Sequence, residues 1–306
     1  YLDRIYFCPH HPDEGFEGEI KELKIACECR KPNIGMIERA CIEMNVDLNQ
    51  SWFIGDSTVD VLTASRAGLT SILVETGYAG MDQKYSSTPE FIVPDLLAAA
   101  ELILDKYPRL LSFCMELTDE IRAGDFVFIG GLSRSGKSNL TTTLRHALKL
   151  NGHKVHSISL DRWTRSEADR DAGVLGRYDL DAIRELISQL DARTKKLKLS
   201  MPCYDKKSRQ KNDTIEEVII EKNDVVIIEG TIALLQLDQV NNRKSHALFV
   251  EIDEKERHDR VLNEYRLRAL EKEEAECIYQ ARQIDETPLI LASANNARVK
   301  VNYTNF

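Results

Sequence analysis

Residues 130–140, GGLSRSGKSNL, restrict the fold more than any other stretch of this chain. Gly131, Gly136, Lys137 and Ser138 occupy the four fixed positions of a G-x-x-x-x-G-K-S run. Glycines let successive backbone N–H groups turn toward an anion, and a helix starting at the same point presents its positive end. The flanks agree with that reading. DFVFIGG before the run reads as a buried strand, and KSNLTTTLRHALKLNG after it as a helix with a glycine stop. The bland alternative is a tight strand-to-helix turn with a capping serine.

Strands alternate with helices on both sides of this turn, which implies parallel α/β sheets. Upstream, residues 1–7 read as the end of a helix and a short strand, and 8–32 as a loop. NIGMIERACIEMNVDL reads as a helix, SWFIGDST as a strand ending in Gly-Asp, and VDVLTASRAGL as a helix closed by Gly68. TSILVETG is a strand, and EFIVPDLLAAAELILDKY a strand followed by a helix. Downstream, HKVHSISLD is a strand ending in Asp161, YDLDAIRELISQLDA a helix, and DVVIIEGTIAL a strand ending in Glu229-Gly230. HALFVEID is a further strand, followed by one long charged helix, EKERHDRVLNEYRLRALEKEEAE. The pattern restarts after about residue 110. A chain of 306 residues suits two domains, set here at 1–108 and 109–306.

Charge narrows the function. The net charge of −9 disfavours a nucleic-acid binder, which needs a basic face, but leaves room for small anionic substrates. No run of about 18 apolar residues suggests a membrane span. No basic-then-apolar leader opens the sequence, so a cytoplasmic location is expected. The partners implied are small molecules; whether the chain forms a homo-oligomer is left open.

Lys137 can reach outer phosphates, and the Ser138 hydroxyl can ligate Mg²⁺. Asp161 and Glu229 stand at strand ends, where one carboxylate can deprotonate a hydroxyl and the other hold Mg²⁺. MPCYDKKSR supplies Tyr204 and Arg209; the charged helix supplies Arg257, Arg260, Arg266 and Arg268. Together these features, with the closing DETPLILASANNARVKVN, resemble the uridine kinase/phosphoribulokinase family from about Asp125 onward. The resemblance implies a P-loop NTPase-type fold and ATP with Mg²⁺. It implies that Gly131, Ser133, Arg134, Ser135, Gly136, Lys137, Ser138 and Asn139 hold the nucleotide. It makes Asp161 the base, Glu229 a metal-side carboxylate, and Asp179, Tyr204 and Arg209 substrate contacts. Lys137, Arg260 and Arg268 would then neutralise the transferring phosphoryl group. The loop after the Pro-x-Tyr-Asp motif is short and lacks the nucleoside kinases' histidine. Its Lys206, Lys207, Arg209 and Lys211 favour a sugar or sugar phosphate over a nucleoside, against the alternative of a solvated basic loop.

Seven cysteines are present, and three crowd into residues 8–29 beside two histidines. Cys8-Pro-His10 and Cys27-Glu-Cys29 offer three thiolates and an imidazole, a closed tetrahedral set for structural Zn²⁺. His11 is an alternative ligand; buried thiols without metal are another reading. Arg30-Lys31-Pro32 follows directly, and FIGDSTVD comes later with Asp56 and Asp60. This order resembles the haloacid-dehalogenase superfamily, in its heptose bisphosphate phosphatase/histidinol-phosphatase branch. The resemblance implies zinc on Cys8, His10, Cys27 and Cys29. It places Lys31 on the phosphate and nucleophile, Arg30 on substrate, Asp56 on Mg²⁺, and Asp60 in support. Surface charges and a helix cap at Asp56 are the alternative. That superfamily's D-x-D nucleophile segment lies upstream of the zinc loop, and only seven residues precede Cys8 here. Residues 1 to about 105, as written, are expected to form a truncated haloacid-dehalogenase-like domain without covalent hydrolysis.

The leading expectation is a bifunctional sugar-metabolism enzyme: an ATP-dependent kinase fused to a Mg-dependent phosphatase-type domain. A uridine/cytidine kinase with a structural appendage is one alternative. A nucleotide-binding regulatory or scaffold protein is another.

Overall fold

The computed structural model describes residues 2–15, 17–85, 87, 89–205, 210–267 and 270–306. Two compact units emerge, Tyr1–Leu102 and Ile103–Phe306, dividing slightly ahead of the boundary placed at 108/109 from the sequence. Both are α/β units built on parallel sheets.

In the first unit, the described residues of 2–33 form no regular element beyond a 3₁₀ turn, Lys21–Leu23. The helix end and strand expected within residues 1–7 are absent from the described part: no ladder partner exists there, and Leu2, Ile5 and Phe7 are exposed. Helix α1 (Gly35–Met44) precedes strand β1 (Trp52–Gly55), helix α2 (Thr58–Ala67), strands β2 (Thr70–Val74) and β3 (Phe91–Val93), and helix α3 (Leu96–Glu101). The strands pair in order β1-β2-β3, all parallel, with Trp52 opposite Thr70 and Ile72 opposite Phe91. Helix α2 buries Val61 and Ala64, while Ile72, Leu73, Val74 and Phe91 are buried in β2 and β3. α2 ends as its sequence dictates, with Gly68 at φ 72 as a left-handed C-cap.

The second unit opens with helix α4 (Tyr107–Thr118), then β4 (Phe126–Gly130), α5 (Lys137–Leu150) and β5 (Val155–Ser159). Short α6 (Gly173–Gly176), α7 (Leu180–Ala192), β6 (Leu197–Asp205), β7 (Gln210–Ile220) and β8 (Val225–Glu229) follow. The unit ends with β9 (Ser245–Glu251), α8 (Glu254–Leu267), α9 (Lys272–Asp285), α10 (Thr287–Ser293) and β10 (Val299–Asn302). Five strands form a parallel sheet in order β10-β9-β4-β8-β5, and β6 and β7 form an antiparallel hairpin beside it.

The apolar runs are buried on both faces, as a helix-covered parallel sheet requires. Phe126, Phe128, Val226, Ile228 and Phe249 join a core with Ile183, Ile187 and Leu190 of α7. Their alternates Val127, Ile129, Val225, Ile227, Leu248 and Val250 join Leu140, Leu144 and Leu148 of α5 and Leu110 of α4 on the opposite face. The long charged helix expected after β9 is instead two helices, α8 and α9. Folding back lets Val261 and Tyr265 pack on Ala275 and Tyr279; one straight helix would hold those two pairs apart.

Candidate functional site

In the second unit, β4 delivers the chain directly into the glycine turn. Gly131 (φ 145) and Gly136 (φ 100) take backbone conformations that side chains rarely adopt. A Cβ on Gly131 would lie 2.6 Å from the Val250 carbonyl oxygen, and one on Gly136 would lie 2.8 Å from the Tyr303 ring. Arg134 is left-handed too (φ 68), and its guanidinium pairs with Glu264. Lys137 opens α5 almost fully buried, its Nζ donating to the Leu132 carbonyl at 2.6 Å. Burial lowers its pKa, against the raising influence of Glu229, Asp161 and Glu286. Ser138 is exposed on the first turn, and Asn139 Nδ2 donates to Tyr303 Oη at 2.7 Å. Among the described residues, the buried Ser135 hydroxyl oxygen has no hydrogen-bond partner. An orphaned hydroxyl in a glycine cradle fits a polyphosphate.

Three neighbouring strands converge on this turn. β4 pairs with β8 through Ile129 opposite Glu229, and β8 with β5 through Glu229 opposite Ser159. Glu229 is therefore the last strand residue beside the glycine turn. Asp161 is not at a strand end as expected: β5 stops at Ser159, whose hydroxyl caps a 3₁₀ turn, Leu160–Trp163, and Asp161 lies in that turn. The strand order reverses at β4, and such crevices at the carboxyl ends of open parallel sheets are where ligands bind. Tyr178 Oη lies 3.5 Å from Asp161 Oδ1. Burial, with the charges of Asp161 and Glu286, raises Tyr178 well above the usual phenol range, so it stays a neutral donor.

Glu286 is the residue the sequence did not announce. It is buried, and its Oε1 accepts the Ser133 N–H at 2.9 Å while Oε2 accepts from Arg177 at 3.2 Å. Burial opposes its charge, yet Arg282, the Ser133 N–H and Arg177 hold its carboxyl below the usual carboxylate range. Its only local signal is the Thr-Pro that starts α10.

The other candidates fall variously. Asp179 caps α7, accepting from the Ala182 N–H at 3.3 Å and from Lys211 Nζ at 3.2 Å. Tyr204 accepts from Arg170. Arg260 pairs with Glu256 at 2.6 Å, and its Cζ lies 4.9 Å from the centroid of the Tyr303 ring against the glycine turn. Arg257 is fully buried, its Nε and Nη2 each donating to the Glu254 carboxylate at 3.0 Å. Lys206, Lys207, Arg209 and Arg268 lie outside the described residues.

In the first unit, Cys8, His10, Cys27 and Cys29 bring four ligand atoms within 4.8 Å of one another. The Sγ–Sγ separations are 3.2–3.4 Å, near the edge of about 3.8 Å that a tetrahedron with Zn–S bonds of about 2.3 Å requires. His10 Nδ1 faces Cys29 Sγ at 3.5 Å, whereas His11 Nδ1 accepts from the Asp13 backbone N–H at 3.2 Å. The donor set fits zinc. Burial resists ionisation of Cys27, but hydrogen bonds with Cys29 and Cys8 lower its thiol to about 6; the bonds to Cys8 and Cys27 push Cys29 up to about 12.

Arg30 leaves this cluster to donate to the His10 carbonyl at 2.9 Å, bracing the loop. Lys31 Nζ meets the buried Asp60 carboxylate at 2.5 Å. Asp60 also closes a capping box with Ser57, so Ser57 caps α2 and Asp56 does not. The Ser-x-x-Asp spacing carries that signal in the sequence. Asp56 follows β1 and accepts the Tyr78 N–H at 2.8 Å. A second acid, Asp82, binds the Thr58 N–H at 2.7 Å and its hydroxyl at 2.6 Å. A Cβ on Gly77 (φ 66) would lie 2.1 Å from Asp56 Oδ2, so the space beside that carboxylate exists only because residue 77 has no side chain. Gly77→Ala is expected to destabilise the protein by about 2–4 kcal/mol through left-handed strain and this clash. An unchanged thermal unfolding midpoint would contradict that close approach.

The family model described as HAD-hydrolase-like matches residues 28–99. A D-glycero-beta-D-manno-heptose-1,7-bisphosphate 7-phosphatase from Yersinia pestis is 47% identical over 77 residues, covering 25% of this chain. Solved structures that resemble a larger part include a possible uridine kinase from Bacillus stearothermophilus, with 20% identity and a TM-score of 0.42, covering 64% of this chain and 98% of that one. A D-glycerate 3-kinase from Cryptococcus neoformans has 14% identity and a TM-score of 0.46, covering 65% and 95%. No helix among the described residues is long and apolar enough to cross a membrane. The chain spans 39% of the length of the Yersinia pestis phosphatase, and within that span its N-terminal region is haloacid-dehalogenase-like.

Proposed function

We propose that residues 109–306 are an ATP-dependent kinase acting on a hydroxyl of a sugar or sugar phosphate. Residues 1–108 are then part of a Mg-dependent phosphatase domain of the heptose-bisphosphate type. The observation that supports the kinase reading is the convergence of the glycine turn after β4, Glu229 at the end of β8, and Asp161 in the 3₁₀ turn that follows β5. Loop amides and Lys137 would hold the ATP phosphates. Asp161 would take the proton of the acceptor hydroxyl as its oxygen attacks the γ-phosphorus, and the bond to the β-phosphate oxygen breaks to release ADP. Ser138 and Glu229 would hold Mg²⁺, which neutralises charge on the phosphates when bound. Tyr178, kept neutral, would orient the Asp161 carboxylate.

The phosphatase reading is supported by the 47% identity to the heptose bisphosphatase, by the Lys31–Asp60 pair, and by Asp56 directly after β1. Cys8, His10, Cys27 and Cys29 would hold structural Zn²⁺, and Asp56 would ligate Mg²⁺. Reduced zinc thiolates suit a cytoplasmic location.

A screen of sugars, sugar phosphates and nucleosides for ADP release tests the kinase reading. Asp161→Asn is expected to lower kcat by about 10²–10⁴-fold with ATP affinity unchanged. Turnover of uridine and cytidine alone would make this a nucleoside kinase. ATP binding without turnover of any acceptor would make it a nucleotide-binding regulator.

A further inference from the structure

The stretch 162–177 carries four arginines beside Asp161, and three of them already have carboxylates. Arg162 pairs with Glu216 at 2.5 Å, Arg165 with Asp171 at 2.8 Å, and Arg177 with Asp285 and Glu286. Arg170 differs. It is half-buried, and among the described residues its guanidinium contacts are to neutral groups: Nε donates to the Arg165 carbonyl at 3.1 Å, and Nη2 donates to the Tyr204 hydroxyl. Its Cζ also sits 5.9 Å from the centroid of the Tyr204 ring. A guanidinium offers five donors in a planar fork matched to phosphate oxygens, and partial burial without counter-charge is unfavourable until an anion arrives.

Its position suits an acceptor rather than the nucleotide. The Asp161 carbonyl accepts from the Thr164 N–H at 3.2 Å and from its hydroxyl at 2.8 Å. Arg165, the next residue, donates its N–H to the Arg177 carbonyl at 2.8 Å and accepts Arg170 Nε on its own carbonyl. With about 3.8 Å between successive Cα atoms, that path holds the guanidinium within about 15 Å of the Asp161 backbone. A sugar carrying its phosphate at the far end from the reacting hydroxyl fits within that reach. Strand β6, which bears Tyr204, packs on the Leu160–Trp163 turn that bears Asp161. Lys211, the described member of the basic loop, is engaged by Asp179.

We propose that Arg170, braced by Tyr204, binds a phosphate monoester on the acceptor, so that the substrate is a sugar phosphate and not a free sugar. This rests on the kinase reading above and deepens it. The test compares five- to seven-carbon sugars with their terminal phosphate monoesters, in matched pairs, for wild type, Arg170→Met and Arg170→Lys. Wild type should prefer the phosphorylated member by about 100-fold or more in kcat/KM. Arg170→Met should erase that preference through KM, with the KM for ATP and the free-sugar rate unchanged, and Arg170→Lys should restore part of it. Equal use of both members by wild type, or a preference that survives in Arg170→Met, overturns the proposal. A separate arm titrates inorganic phosphate calorimetrically into protein saturated with Mg²⁺ and a non-hydrolysable ATP analogue. Binding by wild type that Arg170→Met loses upholds the anion subsite even if no sugar is turned over, a result that would sink only the kinase reading. Absence of phosphate binding by wild type overturns the subsite itself.

Discussion

Replacing Lys137 by methionine is expected to lower ATP-dependent phosphoryl transfer by about 10³-fold or more, roughly 4 kcal/mol of transition-state stabilisation. The reason lies in where the ammonium sits. It is almost fully buried, in the field of Glu229, Asp161 and Glu286, and its one described hydrogen bond is to a carbonyl of its own loop. A buried cation among three carboxylates is well placed to meet developing phosphate charge and hard for solvent to replace. Methionine keeps the stem and removes the charge, so the folded core should persist while Mg–ATP affinity falls. Steady-state ADP release and a calorimetric ATP titration check this. Wild-type turnover by the methionine variant would remove the glycine turn from the mechanism.

Metal removal should have the second large effect, confined in its direct reach to the thiol cluster. The described residues of 2–33 have one 3₁₀ turn and few backbone hydrogen bonds, such as His11 N–H to the Leu23 carbonyl at 3.0 Å. So little regular structure cannot fix that loop, and a structural zinc contributes an apparent 10–16 kcal/mol or so in small zinc-dependent folds. About one zinc per chain is therefore expected by elemental analysis, and almost none in Cys29→Ser. Chelation should raise amide exchange across residues 8–33 at least tenfold and leave strand β4 protected. Loading must displace protons from the cluster, so occupancy should weaken in acid. Metal-free protein with the same slow exchange would dispose of the zinc assignment.

Much of this was legible because the chemistry is local. Four fixed positions define the glycine turn, and their backbone demands are met within eight residues of sequence. The pairs Cys8/His10 and Cys27/Cys29 and the closing Gly68 are equally short-range. What escaped was long-range or conformational. Glu286 reaches Ser133 across 153 positions, and no periodicity encodes that contact. Asp161 reads as a strand end because SISLD is apolar enough to continue, yet the Ser159 hydroxyl turns the chain first. The β6–β7 hairpin was missed because its alternation is interrupted: Pro202 meets a register shift beside Cys203. The break between α8 and α9 follows from tertiary packing of Tyr265 and Tyr279, to which helix propensity is blind.

The ring of Tyr303 lies where a Gly136 side chain would be, and its hydroxyl receives Asn139 across 164 positions. The innermost turn thus has a ceiling built from the 3₁₀ turn Tyr303–Asn305, which directly follows the edge strand β10. Closing so long a loop carries a large chain-entropy term, whereas the turn alone is a matter of a few dihedral angles. The final shape of the turn therefore depends on the segment after β10 being in place, and not on the first half of the unit alone.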